Sequence, residues 1–399
     1  MSVGSLLGAI AGTGTDRRRG GYSRHGFDAA EGELREWFVE QARRRSLDVE
    51  TDRNGNLWAW WGAPGPDAVV TGSHLDSVPG GGAFDGPLGV TSALAAIDQL
   101  RSRGFQPRRP LAVAVFAEEE GGRFGVACLG SRLLTGATRP RDALRLRDPD
   151  GTTLADAVAA VGLDPQRIGR DADMLGRIGC YVELHVEQGR MLAPMDQPLG
   201  VASSILAHGR WHFTVTGQGN HAGTTLLSDR RDPMLATAAT VLAARRAVLD
   251  IGSAVATVGR MVPNPGGTNV IPSTVDFWLD VRARSTPDTR GVVDEISSAA
   301  REAAGAEGCE LTVREESFGD AVVFDTALRD DLATMLGDIP RIPTGAGHDA
   351  GILAAHVPTA MLFVRNPTGI SHAPEEHAEL DDCEYSAGAL ADVLERLAR

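Results

Sequence analysis

AVVTGSHLDSVPGGGAFDGPLGVTSALAAIDQLRSRGFQPRRPLAVAVFAEEEG, residues 68–121, holds two apolar runs separated by one helical pattern. AVVTGSH (68–74) is a short apolar stretch that stops at a histidine. LAVAVF (111–116) is a second, running into three consecutive glutamates. Between them GVTSALAAIDQLRSRG (89–104) repeats its apolar positions with helical period. Strand, helix, strand in that order predicts an α/β sheet, in which ligand sites lie beyond the carboxyl ends of the strands. Both acid-bearing segments fall at such ends.

Outward from this stretch, AAEGELREWFVEQARR (29–44) reads as an amphipathic helix, and LDVETDRNGNLWAWWG (47–62) as two strands around the Asn54-Gly55 turn. The character changes near 207. GRWHFTVTGQ (209–218) and STVDFWLDVRAR (273–284) alternate with period two, whereas DPMLATAATVLAARRAVL (232–249) and VVDEISSAAREAAG (292–305) are helical. That order suggests a β-α-β-β-α-β, ferredoxin-like α+β insert. The α/β pattern returns in TAMLFV (359–364), which runs into RNPTGISHAPEEH (365–377). The expected organisation is a discontinuous α/β domain, residues 1–206 and 318–399, with a mixed sheet flanked by helices, interrupted by the smaller domain at 207–317. A chain of 399 residues exceeds the roughly 250–300 at which a single core stops growing.

With 39 basic and 53 acidic residues, the net charge is −14, which argues against nucleic acid and anionic membrane as partners. Every basic residue is arginine, so Schiff-base, P-loop and Ser-Lys chemistries have no lysine to use. Cys128, Cys180, Cys309 and Cys383 lie far apart with no CxxC, as expected of reduced thiols. No apolar run approaches the ~18 residues of a membrane span, so a cytoplasmic protein is expected. A serine hydrolase elbow, GxSxG, is missing from the sequence.

His74 and Asp76, two apart at a strand end, share a face, so the expected arrangement has His74 as a metal ligand with the Asp76 carboxylate fixing its tautomer. Asp85 follows in glycine-rich chain that lets backbone approach a charged centre. Taken alone, these residues are equally a turn-capping arrangement. FAEEEGGRF (116–124) alters the balance, because three adjacent carboxylates at a strand end repel one another unless cations neutralise them. One Glu can ligate while its neighbour takes a proton. His185 in CYVELHVEQG (180–189) and His372 in GISHAPEEH (369–377) complete a set on strand-end loops. Five such ligands exceed one tetrahedral zinc and suit two ions sharing a carboxylate. A binding protein that had lost its metals would lack a ligand; all are present.

With these motifs in order, the chain resembles the dinuclear metallo-amidohydrolases that include allantoate amidohydrolase, N-carbamoyl-L-amino acid hydrolase and β-ureidopropionase, within a clan of zinc exopeptidases and aminoacylases. GSHLDSV, FDGPLGV, EEEGGRF, ELHVEQG, GNHAGTT, TNVIP, DVR, GAGHDA and GISHAPEEH carry the resemblance across nearly the whole chain. It implies His74, Asp85, Glu120, His185 and His372 as ligands of two divalent ions, with Asp85 bridging and Zn or Mn, alternatively Co or Ni, as the metal. It implies Glu119 as general base toward a bridging water on ions about 3.5–4 Å apart. His221 is then the oxyanion donor, and Asn269 and Arg282 hold a substrate carboxylate from an inserted lid that also builds a homodimer. Gln188 and His348 are further candidates for substrate contact, although His348 could equally orient a loop. Arg282 on an alternating strand is, without the resemblance, a solvated face residue. Leu226 and Leu227 depart from the Pro-Met that relatives often carry. The implied reaction is hydrolysis of the ureido C–N bond of a small carboxylate substrate, allantoate or an N-carbamoyl-L-amino acid, with β-ureidopropionase and aminoacylase or dipeptidase activity as alternatives. Arg365 matches no assigned role.

Overall fold

The two apolar runs that frame the opening stretch are adjacent parallel strands of one sheet, each buried along its whole length. The structure is a computed structural model describing residues 1–252 and 254–399, without the Asp250 side chain. In chain order the strands are β1 (Asp48–Thr51), β2 (Leu57–Trp61), β3 (Ala68–His74), β4 (Leu111–Phe116), β5 (Ile178–Val186) and β6 (Leu199–Ile205). There follow β7 (Ala207–Thr216), β8 (Asn220–His221), β9 (Val255–Asn264), β10 (Val270–Ile271), β11 (Thr274–Ala283), β12 (Glu310–Gly319), β13 (Val322–Val323), β14 (Arg341–Thr344) and β15 (Thr359–Val364).

The main sheet has the order β1-β2-β4-β3-β5-β15-β6-β13, with β14 paired to β6. Its centre, β4-β3-β5-β15, is parallel, while β1-β2, β2-β4 and β15-β6 are antiparallel. The sheet is therefore mixed and flanked by helices, as the sequence pattern led us to expect. Parallel strands covered on both faces read as continuous apolar runs. Helix Pro87–Ser102 packs on β3 and β5, and helix Leu380–Ala398 packs on it. Leu88, Leu94, Ile97 and Leu100 of the first and Leu390, Val393 and Leu394 of the second join one core. Each such side chain contributes about 1.5–3 kcal/mol on burial. All four central strands point their carboxyl ends the same way, which places the loops after them together.

The chain divides into two units, Met1–Ser203 with Val323–Arg399, and Ser204–Val322. The second runs past 207–317 at both ends; at the far end β12 continues as one strand through Gly319. Within it, an antiparallel sheet of order β12-β7-β11-β9 packs one face against helices Pro233–Ile251 and Thr286–Ala306. The period-two pattern sorts β11 cleanly: Val275, Phe277, Leu279 and Val281 enter the core, and Asp276, Trp278, Asp280 and Arg282 take the other face. Among the described residues no helix is long and apolar enough to cross a membrane. All four cysteines are free thiols, three of them buried.

Candidate metal centre

His74 is the last residue of β3, His185 the penultimate residue of β5, and Glu119 and Glu120 follow β4. Parallel packing brings these ends together, and the loop after β15 adds His372. Asp85 lies at their focus. Its Oδ1 is 3.5 Å from His74 Nε2 and 3.2 Å from His185 Nε2, and its Oδ2 is 3.4 Å from His372 Nε2. His372 Nε2 is also 3.3 Å from Glu120 Oε2. Three groups of potential ligands result among the described residues, His74–Asp85–His185, Asp85–Glu120–His372 and Glu183–His185–His348, and the first two share Asp85.

The tautomers suit ligation. His74 Nδ1 faces the Asp76 carbonyl at 3.0 Å, and His185 Nδ1 faces the Val186 carbonyl at 2.9 Å. With those nitrogens donating to carbonyls, both Nε2 atoms are left as acceptors. His74 Nε2, His185 Nε2 and Glu120 Oε1 are buried and without a hydrogen-bond partner. A buried polar atom left so costs about 1–3 kcal/mol, and here the orphans converge on one small volume lined by imidazoles and carboxylates. That donor set fits divalent cations.

Glycine is required where helix Pro87–Ser102 starts. Gly86 has φ 82°, and a Cβ there would lie 2.4 Å from His74 Cε1. Asp76 differs from expectation. Its backbone carbonyl, not its carboxylate, holds the His74 ring; the carboxylate accepts the amides of Glu119 (3.1 Å) and Glu120 (3.0 Å), because the strand-end turn aims it at the neighbouring loop. The glutamate triplet is resolved by division. Glu118 turns away and accepts the amides of Gly26, Arg123 and Phe124 at 3.1, 2.9 and 2.7 Å. Glu119 has Oε1 held by the Cys128 thiol at 3.3 Å and Oε2 3.6 Å from His74 Nε2. Only Glu120 joins the Asp85–His372 group.

Charge crowding perturbs every group. Burial, with His74 opposing and Asp349, Glu120 and Asp76 adding to it, raises Glu119 well above the usual carboxylate range. Burial and then Asp85 push Glu120 up to about 8. Burial raises Asp85 too, but the imidazoles of His185, His372 and His74 that face its oxygens outweigh it and hold Asp85 well below its ordinary value. His372 is raised to about 9, chiefly by Asp85. Burial works against a charged His74, yet Glu119, Asp85 and Asp76 overcome it and hold its pKa well up. Perturbation by burial together with specific charge partners is a mark of a functional site.

Of the other candidates, Gln188 donates to Asp85 Oδ2 at 2.8 Å, on the shared carboxylate itself. His348 is buried edge-on against His185, ring centroids 4.5 Å apart, and burial keeps it neutral. His221, Asn269 and Arg282 belong to the Ser204–Val322 unit. His221 is exposed and its Nδ1 accepts the Gly223 amide at 3.0 Å, while Arg282 Nε donates to Asp280 at 2.9 Å. Arg365 acquires a structural role: it makes a bidentate pair with Asp382 at 2.8 and 3.1 Å and a third bond to Asp196 at 2.9 Å. Sequence reasoning missed Cys128, Glu118 and Glu376. Glu376 lies inside a quoted motif, but nothing local marks Cys128.

Residues 70–396 match the peptidase family M20/M25/M40. The chain is 36% identical over 386 residues to an N-carbamoyl-L-amino acid amidohydrolase of Geobacillus stearothermophilus, covering 95% of this chain and 94% of that protein. It is 31% identical over 379 residues to an allantoate amidohydrolase of Escherichia coli strain K12, covering 92% and 90%. Among solved structures, an amidase of the hydantoinase/carbamoylase family from Burkholderia multivorans superposes with a TM-score of 0.90 at 31% identity, covering 99% of this chain and 97% of that one.

Proposed function

We propose, from the premise that this chain belongs to the peptidase family M20/M25/M40, that it hydrolyses the ureido C–N bond of a small carboxylate substrate, an N-carbamoyl-L-amino acid or allantoate. It is a hydrolase of C–N bonds, in a metal-dependent family. The observation that carries metal-assisted hydrolysis is the pair of ligand groups sharing Asp85, with Glu119 Oε2 turned toward them and its other oxygen held away, while the ureido substrate class is supported by the carbamoyl- and allantoate-cleaving relatives.

His74 and His185 would hold one divalent ion and Glu120 and His372 a second, with Asp85 common to both; Zn or Mn suits the set, as do Co and Ni. When bound, such ions supply Lewis acidity toward water and toward a carbonyl oxygen. A ureido carbonyl resists attack because nitrogen donates into it, so a base and an acid for the leaving amine are both needed. Glu119 Oε2 takes the proton of the attacking water and returns it to the departing nitrogen. His221 serves as donor to the developing oxyanion, and Arg282 and Asn269 bind the substrate carboxylate, for which a planar guanidinium fork is well shaped. Gln188 and His348 contact the substrate or orient what does.

The working form is a homodimer. Leu235, Leu242 and Leu249, seven apart on helix Pro233–Ile251, form an exposed apolar line beside the open edge strand β9. A second copy covers it; Leu242→Glu yielding the same mass by light scattering as the wild type would remove this face.

The deciding experiment is a panel of allantoate, several N-carbamoyl-L-amino acids and β-ureidopropionate, with N-acyl amino acids and dipeptides alongside, on metal-reconstituted protein. Turnover confined to acyl or peptide substrates would replace the ureido reading with that of an aminoacylase or dipeptidase. Full activity after verified metal removal would end the metal reading.

A further inference from the structure

Glu376 ends the PEEH motif's acidic pair and is buried, 4% exposed, although no cationic side chain pairs with it among the described residues. Its Oε1 accepts the backbone amides of Phe84 at 3.0 Å and Asp85 at 2.9 Å. Its Oε2 lies 3.1 Å from the Ser371 hydroxyl, which is also 3.2 Å from Asp85 Oδ2. One carboxylate thus grips the glycine-rich loop that carries Asp85 and the residue next to His372, across 291 positions of sequence.

The surroundings are shaped for this grip. A Cβ on Gly82 would lie 2.3 Å from Glu376 Oε1, so only glycine lets that oxygen reach the two amides. The Asp85 loop, PGGGAFDG, has little stiffness of its own, and His372 is in the left-handed region with φ 58°. Asn366 ties residues 366–370 by local hydrogen bonds, and Glu376 extends that order to Ser371 and across to the Asp85 loop. Burying a second carboxylate beside Asp85 is unfavourable unless positive charge balances the pair.

We propose that Glu376 is a positioning residue: by holding the Asp85 backbone and the Ser371 hydroxyl together, it sets the separation at which Asp85, Glu120 and His372 close on a divalent cation. This rests on the two-ion reading above and adds to it a residue that touches neither cation nor substrate. Outer-shell partners of this kind are worth about 10- to 100-fold in metal affinity.

The test is Co2+ binding to metal-stripped protein, followed by calorimetry and by the visible spectrum of the bound ion. Glu376→Ala should weaken the binding step that uses Glu120 and His372 by about 10- to 100-fold and change the spectrum of that ion, with a smaller loss at the other step, which shares Asp85. Glu376→Gln, which keeps an oxygen for the two amides, should recover most of the affinity. Gly82→Ala should weaken the same step while removing no polar group, and it carries the test if Glu376→Ala does not fold. Wild-type binding by both Glu376→Ala and Gly82→Ala would overturn the proposal. A Gln variant as weak as the Ala variant would also overturn it, since charge and not the grip would then be responsible. Wild-type protein that binds no ion, or Asp85→Asn that still binds two at full affinity, would instead sink the two-ion reading on which the proposal stands.

Discussion

Cys128→Ala isolates the orientation of Glu119 from its chemistry. The thiol donates to Glu119 Oε1 at 3.3 Å, and Oε2 is thereby left facing His74 and the ligand cluster. Burial, then the charges of Glu119 and Asp349, push the thiol well above its ordinary pKa, so it remains a donor at any working pH. Removing it leaves a buried carboxylate oxygen without a partner, a cost of about 1–3 kcal/mol. If that energy appears as misorientation of the base in the transition state, kcat falls about 5- to 150-fold, and a weak S–H donor places the expectation near the lower end, about tenfold. Neither the Asp85 contacts nor the ligand tautomers involve Cys128, so KM and metal content should hold. Cys128→Ser keeps an O–H and should restore most of kcat. Both variants retain a Cβ, so the left-handed backbone at φ 55° is equally strained in each and does not confound the comparison. The assay is initial-rate kinetics with metal content verified, on the ureido substrate the panel selects. An alanine variant within twofold of wild type, or a serine variant no better than alanine, would refute the reasoning.

Glu119→Gln should abolish turnover while both ions remain; loss of the ions on metal analysis would make Glu119 a ligand instead of a base. Metal affinity should rise with pH between about 6 and 9, because Glu120, pushed up to about 8, and His372, raised to about 9, must shed protons to ligate. Calorimetry in buffers of different ionisation enthalpy reads the released protons directly, and a pH-independent affinity would contradict the crowding described. In the metal-free protein both folded pKa values stand above their unfolded ones. Their contribution to stability is therefore full below the unfolded values and is lost as pH climbs from about 4.5 to about 8 for Glu120 and from about 6.5 to about 9 for His372, and melting temperature should drop over those ranges unless metal is added. Arg282→Ala should raise KM for carboxylate substrates more than tenfold, the loss of about 2–4 kcal/mol expected of a charge-assisted pair, with metal content intact. Mixing it with Glu119→Gln subunits should recover partial activity if the arginine is donated across a dimer; no recovery in verified heterodimers would assign it to the same subunit.

The central strands were legible because burial on both faces writes an uninterrupted apolar run, and the rule that sites follow strand ends then pointed at His74, the glutamate triplet and His185, whereas the separate roles of Glu119 and Glu120 came only from the family resemblance. His372 was legible for the same reason, as the first histidine after TAMLFV. Alternation in β11 told core from open face, which is why Arg282 could be placed outside the core before any coordinates. What sequence pattern could not supply was the direction in which a side chain on a tight turn points. Asp76 shares a face with His74 by period two, yet its carboxylate closes on the Glu119 and Glu120 amides, a partnership that exists only once β3 and β4 lie side by side.

Glu118, Glu119 and Glu120 make the same point more sharply. Identical in composition and adjacent in sequence, they take three fates because φ 53° at Glu118 breaks the strand's alternation just where it ends. Glu118 is absorbed by three amides, Glu119 is split between a thiol and the ligand cluster, and Glu120 alone enters the group with Asp85 and His372. A triplet of carboxylates announces that charge must be balanced there, but the division of labour is set by donors that lie far off in sequence or carry no motif of their own. Such distant neighbours are the groups whose substitution should separate geometry from chemistry: a variant of the donor Cys128 tests where Glu119 points without removing a proton acceptor, and a variant of Gly82, which only makes room for Glu376, tests where Asp85 stands without removing a ligand.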